Sequence, residues 1–289
     1  MSLVPPAVGV AIVTHDRRHS LMRTLEELSS LPERPPVVVV DNASNDGTAA
    51  AVRRAYPDVR LLRLGRSRGA AARTVGVRAL ETEAVAFSDD DSWWAPGSLA
   101  RAARLMDAHP RLGLIAARIL VGPEGRLDPT SSEMARSPLP RVPGLPGRPV
   151  LGFIACGAIV RRSAYLEVGG FEPRLGFGAE EHLLAGDLAA AGWALAYLEE
   201  IVAHHHPWGD GAGREARRSA ELRNLIWAAW LRRPARVALA RTAALAAASL
   251  QARRPGVLLE AARGLPWALR KRRVLPPEVE RSARRLHGG

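Results

Sequence analysis

Ala84-Val85-Ala86-Phe87-Ser88 has the character of a strand and runs straight into three carboxylates, Asp89-Asp90-Asp91. Adjacent anions repel, and folding alone gives no reason for them. A divalent cation does, because a short turn can aim Asp89 and Asp91 at one hard ion through oxygen ligands. The competing reading is an acidic turn in which Asp91 or Ser92 caps a helix beginning near Pro96. A second acidic pair, Glu180-Glu181, opens a helical stretch, where carboxylates also suit the positive end of the helix dipole. A histidine tract, His204-His205-His206, follows an apolar run. Such tracts can bind metal, although the His-Glu-x-x-His spacing of zinc hydrolases is missing. Strand alternation puts His204 and His206 on one face and His205 on the other.

These groups need elements to hold them. Val8–Thr14, Val37–Val40, Val59–Leu64 and Ala84–Ser88 are short, continuously apolar runs of the kind buried in a sheet. Helical patterns separate them: Ser20–Leu28, a segment ending near Tyr56, an alanine-rich stretch through Leu80, and Pro96–His109. Continuous apolar strands alternating with helices predict a parallel α/β sheet covered on both faces. Each polar cluster then falls at the carboxyl end of a strand, where open α/β sheets bind ligands. Thr14 to Arg17, Asp41-Asn42, Arg73 and Asp89 to Asp91 should line one crevice. Further strands are expected at Leu114–Val121, Phe153–Val160 and Trp193–Ala203, the last closed by the histidines and Trp208. A helix should run from Glu180 to Ala191. Gly122–Val150, rich in proline and glycine, reads as one long loop. Beyond Gly213 the pattern is helical over Arg214–Leu231, Ala235–Ala252 and Gly256–Arg273, with Arg-Pro steps between.

Composition narrows the function classes. Of 289 residues, 47% are apolar, enough for a sizeable core. A single cysteine, Cys156, excludes an intrachain disulfide or a cysteine metal cluster. Met1–Pro6 lacks the features of a secretory signal, and no apolar run approaches the roughly 18 residues of a membrane span. The net charge is +12, and its placement is uneven. Residues 213–289 hold 18 basic against 5 acidic side chains, and the first 212 are nearly neutral.

The ordered clusters Val13-Thr14-His15-Asp16-Arg17, Val40-Asp41-Asn42-Ala43-Ser44-Asn45-Asp46-Gly47-Thr48, Gly69-Ala70-Ala71-Ala72-Arg73-Thr74-Val75-Gly76, Asp89-Asp90-Asp91, Gly169-Gly170-Phe171, Glu180-Glu181 and Gly192-Trp193 resemble the family-two nucleotide-sugar glycosyltransferases, over residues 8 to 206. The resemblance implies a GT-A fold: a Rossmann-like, mixed but mostly parallel sheet flanked by helices. It divides the chain into a transferase domain, 1–212, and a basic C-terminal helical extension, 213–289. Within the domain a nucleotide-sugar half spans about 1–121 and an acceptor half about 150–212. Thr14, Arg17, Asp41, Asn42, Arg73, Asp89 and Asp90 are implied for the nucleotide sugar. Asp91 and Asp89 are implied for Mn²⁺ or Mg²⁺, with His204 or His206 as a further ligand. The family's usual Glu-Asp pair is Glu180-Glu181 here, which makes Glu181 the expected base for an inverting transfer and leaves Glu180 a competitor.

Other classes fit less well. A dinucleotide-binding dehydrogenase needs Gly-x-Gly-x-x-Gly after the first strand, and none is present. A nucleotidyltransferase on a related sheet remains the enzymatic alternative. Nucleic acid is not expected as a partner, since the basic tail offers few base-stacking groups. The expected partners are a UDP or dTDP sugar and a hydroxyl acceptor. The tail, with Trp227, Trp230, Trp267 and Arg270-Lys271-Arg272-Arg273, adds two expectations: peripheral contact with an anionic membrane, or a homodimer interface. The expected location is the cytoplasm, reaching the inner face of the membrane.

Overall fold

The structure is a computed structural model describing residues 7–207 and 214–286. Met1–Pro6, Trp208 and the 212/213 boundary lie outside the described residues. In chain order the elements are β1 (Val8–Thr14), α1 (Arg18–Ser29), β2 (Val37–Asp41), α2 (Thr48–Ala55), β3 (Arg60–Arg63), α3 (Ala72–Ala79), β4 (Ala84–Asp89), β5 (Ser92–Trp94), α4 (Ser98–Ala108), β6 (Leu112–Val121) and β7 (Arg126–Leu127). There follow α5 (Pro129–Ala135), β8 (Arg148–Pro149), β9 (Ala158–Arg161), α6 (Arg162–Glu167), α7 (Glu180–Ala190), β10 (Ala194–His205), α8 (Arg214–Arg232), α9 (Ala235–Gln251), α10 (Gly256–Arg270) and α11 (Pro277–Leu286).

One mixed sheet runs in the order β3-β2-β1-β4-β9-β6-β10-β5, with β7 on β6 and β8 on β10. β1, β2, β3 and β4 pair in parallel, as do β6 and β10, whereas β9 runs antiparallel between β4 and β6. All seven residues of β1 are buried, and their alternation supplies two cores. Val10 and Ile12 pack with Leu21, Leu25, Leu99 and Met106 of α1 and α4 on one face. Ala11 and Val13 join Val77, Tyr165, Leu184 and Leu188 of α3, α6 and α7 on the other. Helices on both faces explain why these strands read as unbroken apolar runs.

Three expectations change. Gly122–Val150 is not one loop: Asp128 accepts hydrogen bonds from Thr130 N and Ser131 N to cap α5, with Pro129 at its first position. The expected Phe153–Val160 strand is a 3₁₀ turn, Ala155–Gly157, followed by the short antiparallel β9. Ser92–Trp94, read as the approach to a helix, is β5, paired antiparallel with β10.

The extension packs on α7. Leu175 and Leu183 share a core with Trp227, Leu231, Trp267 and Ala268. Trp227 and Trp267 meet edge to face at 5.7 Å and are 5% and 9% exposed. Trp230 donates to Thr242 Oγ1 at 3.0 Å. The two buried tryptophans therefore serve the fold and not a lipid edge, a correction forced by apolar burial of the largest side chains. Two of the extension's arginines, Arg232 and Arg233, are also buried. Arg232 clasps Asp187 of α7, with Nη2 to Oδ2 at 2.8 Å, and Arg233 clasps Glu280. Among the described residues no helix is long and apolar enough to cross a membrane.

Candidate active site

The carboxyl ends of β1, β2 and β4 bring the sequence clusters together. Thr14 pairs in register with Asp41, and Val13 with Asp89. Thr14 Oγ1 donates to Asp90 Oδ2 at 3.1 Å, and Thr24 Oγ1 of α1 donates to the Asp90 carbonyl at 2.9 Å. Burial, then the charges of Asp91 and Asp89, push the Asp90 carboxyl up to about 7, against the pull of Thr14 and Arg17. Asp90 thus ties the acidic turn to β1 and α1 through Thr14 and Thr24. Arg17 stands just before α1, near enough to act electrostatically on Asp90.

Asp41 is fully buried. Its Oδ1 accepts from Ser44 N at 2.8 Å, and its Oδ2 lies 3.6 Å from Arg63 Nε without a hydrogen bond among the described residues. Asn42 folds the Arg68 loop, accepting Arg68 N at 2.8 Å and donating weakly to Gly69 O. A Cβ on Gly69, at φ +55°, would come 2.6 Å from Gly176 Cα. Glycine therefore allows the turn ahead of α3 to touch the loop ahead of α7.

That contact lets Arg73 join the two halves of the chain. Arg73 is 4% exposed, is bonded to Asp89 Oδ1, and lies over the Phe171 ring at 5.9 Å. Burial opposes its charge, yet Asp89, Glu181 and Glu180 together hold its pKa above the usual value. Glu180 and Glu181 begin α7, near enough to act electrostatically on Arg73. Glu181 Oε1 accepts from Ala155 N at 2.8 Å. Burial and the neighbouring Glu180 push the Glu181 carboxyl up to about 7, with Ala155 N and Arg73 opposing. Burial also raises Glu180, against its own helix-terminal N–H and Arg73. Glu180 Oε2 is buried with no hydrogen-bond partner among the described residues.

The histidines divide as alternation requires, but the face that meets the acidic turn is the other one. Antiparallel pairing sets His205 opposite Ser92 and His204 opposite Trp93. His205 Nε2 lies 3.4 Å from Asp91 Oδ1. Burial disfavours its charge, but the Asp91 hydrogen bond and charge, with Asp89 and Asp128, raise its pKa. His204 stacks on Trp93 at 5.9 Å, and His206 on the same ring at 4.6 Å beside Arg23. Where His204 or His206 was expected beside Asp91, the ring that approaches its carboxylate is that of His205, and His206 meets Asp91 through its backbone N, which donates to Asp91 O at 2.8 Å. The Asp89 and Asp91 carboxylates are the oxygen ligands that Mn²⁺ or Mg²⁺ prefers. Among the described residues no three His, Cys, Asp or Glu side chains converge to hold a metal ion.

Sequence reasoning also missed Ala155 N, because a backbone donor leaves no mark in side-chain pattern. Ser92, a candidate helix cap by sequence, instead accepts from Asp89 N through its Oγ at 2.8 Å.

Residues 9–169 match Glycosyl transferase family 2. The chain is 31% identical over 231 residues to an N-acetylglucosaminyl-diphospho-decaprenol L-rhamnosyltransferase of Mycobacterium tuberculosis, covering 68% of this chain and 75% of that protein. It is 31% identical over 214 residues to a pre-mycofactocin glycosyltransferase of the same species, covering 69% of this chain but 43% of the relative. Among solved structures, GalNAc-T7 with UDP, GalNAc and Mn²⁺ superposes with a TM-score of 0.60 at 16% identity, over 80% of this chain and 48% of that one. The mannosyltransferase PcManGT from Pyrobaculum calidifontis, with GDP-Man and Mn²⁺, superposes with a TM-score of 0.55 at 21% identity, over 92% and 88%. These structures share the GT-A fold. The matched segment contains the strand ends that carry Thr14, Asp41, Arg73 and Asp89 to Asp91, and the chain is a glycosyltransferase belonging to family 2.

Proposed function

We propose that this enzyme moves a hexose or deoxyhexose from a UDP or dTDP donor to an acceptor hydroxyl, with inversion and with help from Mn²⁺ or Mg²⁺. The observation that carries the reading is Arg73, buried between Asp89 on the nucleotide side and Glu180-Glu181 on the other. One cleft then holds a donor and a base on opposite sides of the reacting carbon. Asp41, with a buried oxygen free of hydrogen bonds among the described residues, suits a pyrimidine N–H. Arg73 and Thr14 line the path toward the diphosphate. Glu181 takes the proton from the acceptor hydroxyl while that hydroxyl's oxygen attacks the anomeric carbon. The bond to the diphosphate breaks on the opposite face, and that electron pair leaves with the phosphate. Asp91, Asp89 and His205 would hold the cation, which when bound neutralises charge on the departing diphosphate.

The rhamnosyltransferase relative makes a lipid-linked sugar diphosphate the first acceptor class to test. The extension supports peripheral membrane contact in a revised form. Leu239, Leu250 and Leu259 are more than half exposed, beside the exposed Arg236 and Arg253. The decisive experiment screens UDP-, dTDP- and GDP-linked sugars for turnover with Mn²⁺, with Mg²⁺ and with chelator, and assigns the product anomer by NMR. Turnover undiminished by chelator would overturn the metal role, and retained configuration would overturn inversion.

A further inference from the structure

The base reading leaves open what holds Glu180 and Glu181 in place. They sit at the first turn of α7, after a loop whose backbone is unusual. Gly176, Gly178 and Ala179 all have left-handed φ, at +69°, +91° and +65°. For Ala179 that conformation is strained, and such strain persists only where the surroundings over-determine it. No side chain caps α7, so its entry must be fixed from outside.

Two structures grip this loop. On the donor side Ala70 N donates to Gly176 O at 2.8 Å. On the other side stands Asn224 of α8, which is completely buried. Its Nδ2 lies 2.6 Å from Leu175 O, 2.9 Å from Phe177 O and 2.9 Å from Gly178 O. Two N–H groups therefore serve three carbonyls on the residues that lead into Glu180. The Asn224 Oδ1 accepts from Arg223 Nε and Nη2, both at 3.1 Å. Arg223 in turn bonds Glu260 of α10 at 2.9 Å and lies over the Trp227 ring at 4.6 Å. A Cβ on Gly178 would come 2.9 Å from Glu221 Cα, so the loop and α8 touch backbone to backbone. Farther along α7, the Asp187–Arg232 pair ties the same two helices again.

We propose that Asn224 is a positioning residue for sugar transfer, its buried amide holding the 175–178 carbonyls so that Glu180 and Glu181 enter the cleft at the N-terminus of α7. The helical extension is then a working part of the active site, whatever surface it also meets. The proposal rests on the reading of the Glu180-Glu181 pair as the base. A polar group this deeply buried with every bond made also specifies one loop geometry over its alternatives.

The test compares Asn224→Ala, which removes both donors, with Asn224→Ser, which keeps one, in the full chain. Three readouts are taken: calorimetric binding of UDP and dTDP with MnCl₂, kcat on the donor found by the screen, and amide hydrogen exchange. Binding should stay within about twofold, because the nucleotide residues lie on other elements. Misplacing a reacting group by about 1 Å lowers rates about 10²-fold, so kcat should fall about 10- to 100-fold in Asn224→Ala and less in Asn224→Ser. Exchange should quicken in 171–183 alone. In a Glu181→Gln background, adding Asn224→Ala should change the residual rate by less than about twofold, since residues acting as one unit are not additive. Wild-type kcat in both variants overturns the proposal. So does lost nucleotide binding, or faster exchange spread through α8 and α10, because either marks a merely structural residue. If Glu181→Gln alone keeps full activity, Glu181 is not the base; the Asn224 variants are then read against Glu180→Gln, with the same outcomes deciding.

Discussion

Replacing Glu181 by Gln should remove transfer while leaving the nucleotide site intact, and the pH dependence gives the size of the effect. The carboxyl is pushed up to about 7 by burial and by Glu180. At that value it is ionised to about 10% at pH 6 and about 90% at pH 8, whereas an ordinary glutamate near 4.3 is ionised throughout. With metal and donor saturating, kcat should therefore rise about ninefold from pH 6 to pH 8. The two carboxyls are adjacent, so this limb belongs to the pair. Glu180→Gln deletes the second-largest cause of the shift and should move the limb to lower pH. Loss of the base itself should cost about 10²–10⁴ in kcat. Stability supplies an independent arm. A carboxyl whose folded pKa lies above its unfolded value binds more protons in the native state, so stability falls as pH rises from about 4 through about 7. Glu181→Gln removes that penalty and should stabilise the metal-free protein by about 3–4 kcal/mol at pH 8 and by almost nothing at pH 4. Denaturant titrations at the two pH values measure it. A flat kcat profile from pH 6 to 8, together with equal stability changes at both pH values, would refute the reasoning.

Four other outcomes are expected. Asp91→Asn should lower kcat about 10²–10³-fold, the scale of one lost electrostatic group, with unchanged circular dichroism; normal turnover would remove Asp91 from the metal site. His205→Ala should weaken Mn²⁺ affinity about tenfold, measured by titrating activity with metal, and His204→Ala should not, because its ring stacks on Trp93. Trp267→Ala should destabilise the protein by about 3–5 kcal/mol through the cavity left between α10 and α8, seen as an early thermal transition. On anionic vesicles at low salt the protein should float, and Leu239→Glu with Leu250→Glu should abolish flotation; a full chain that never floats ends the membrane reading.

What the amino-acid order determined by itself is the part of the site at the ends of β1, β2 and β4. β1, β2 and β4 are continuous β-branched and apolar runs that no exposed element tolerates, and each stops at a polar cluster. A parallel α/β sheet brings such ends together whatever the packing details, so Thr14, Asp41, Arg73 and Asp89 were legible before any coordinate. The same local rules split the histidines into two faces. They could not say which face meets Asp91, because that depends on the antiparallel register of β5 against β10, a pairing between strands more than 100 residues apart. Long-range contacts likewise tied Asp90 to Thr14 and Thr24 and drew Ala155 N to Glu181. Burial of Trp227 and Trp267 against Leu175 and Leu183 followed from docking the extension on α7. Asn224 shows the limit most plainly. An asparagine among arginines and leucines on an amphipathic helix has no local signature, and only the tertiary structure sets it against three carbonyls, because hydrogen-bond partners nearly 50 residues away are chosen by packing and not by sequence spacing.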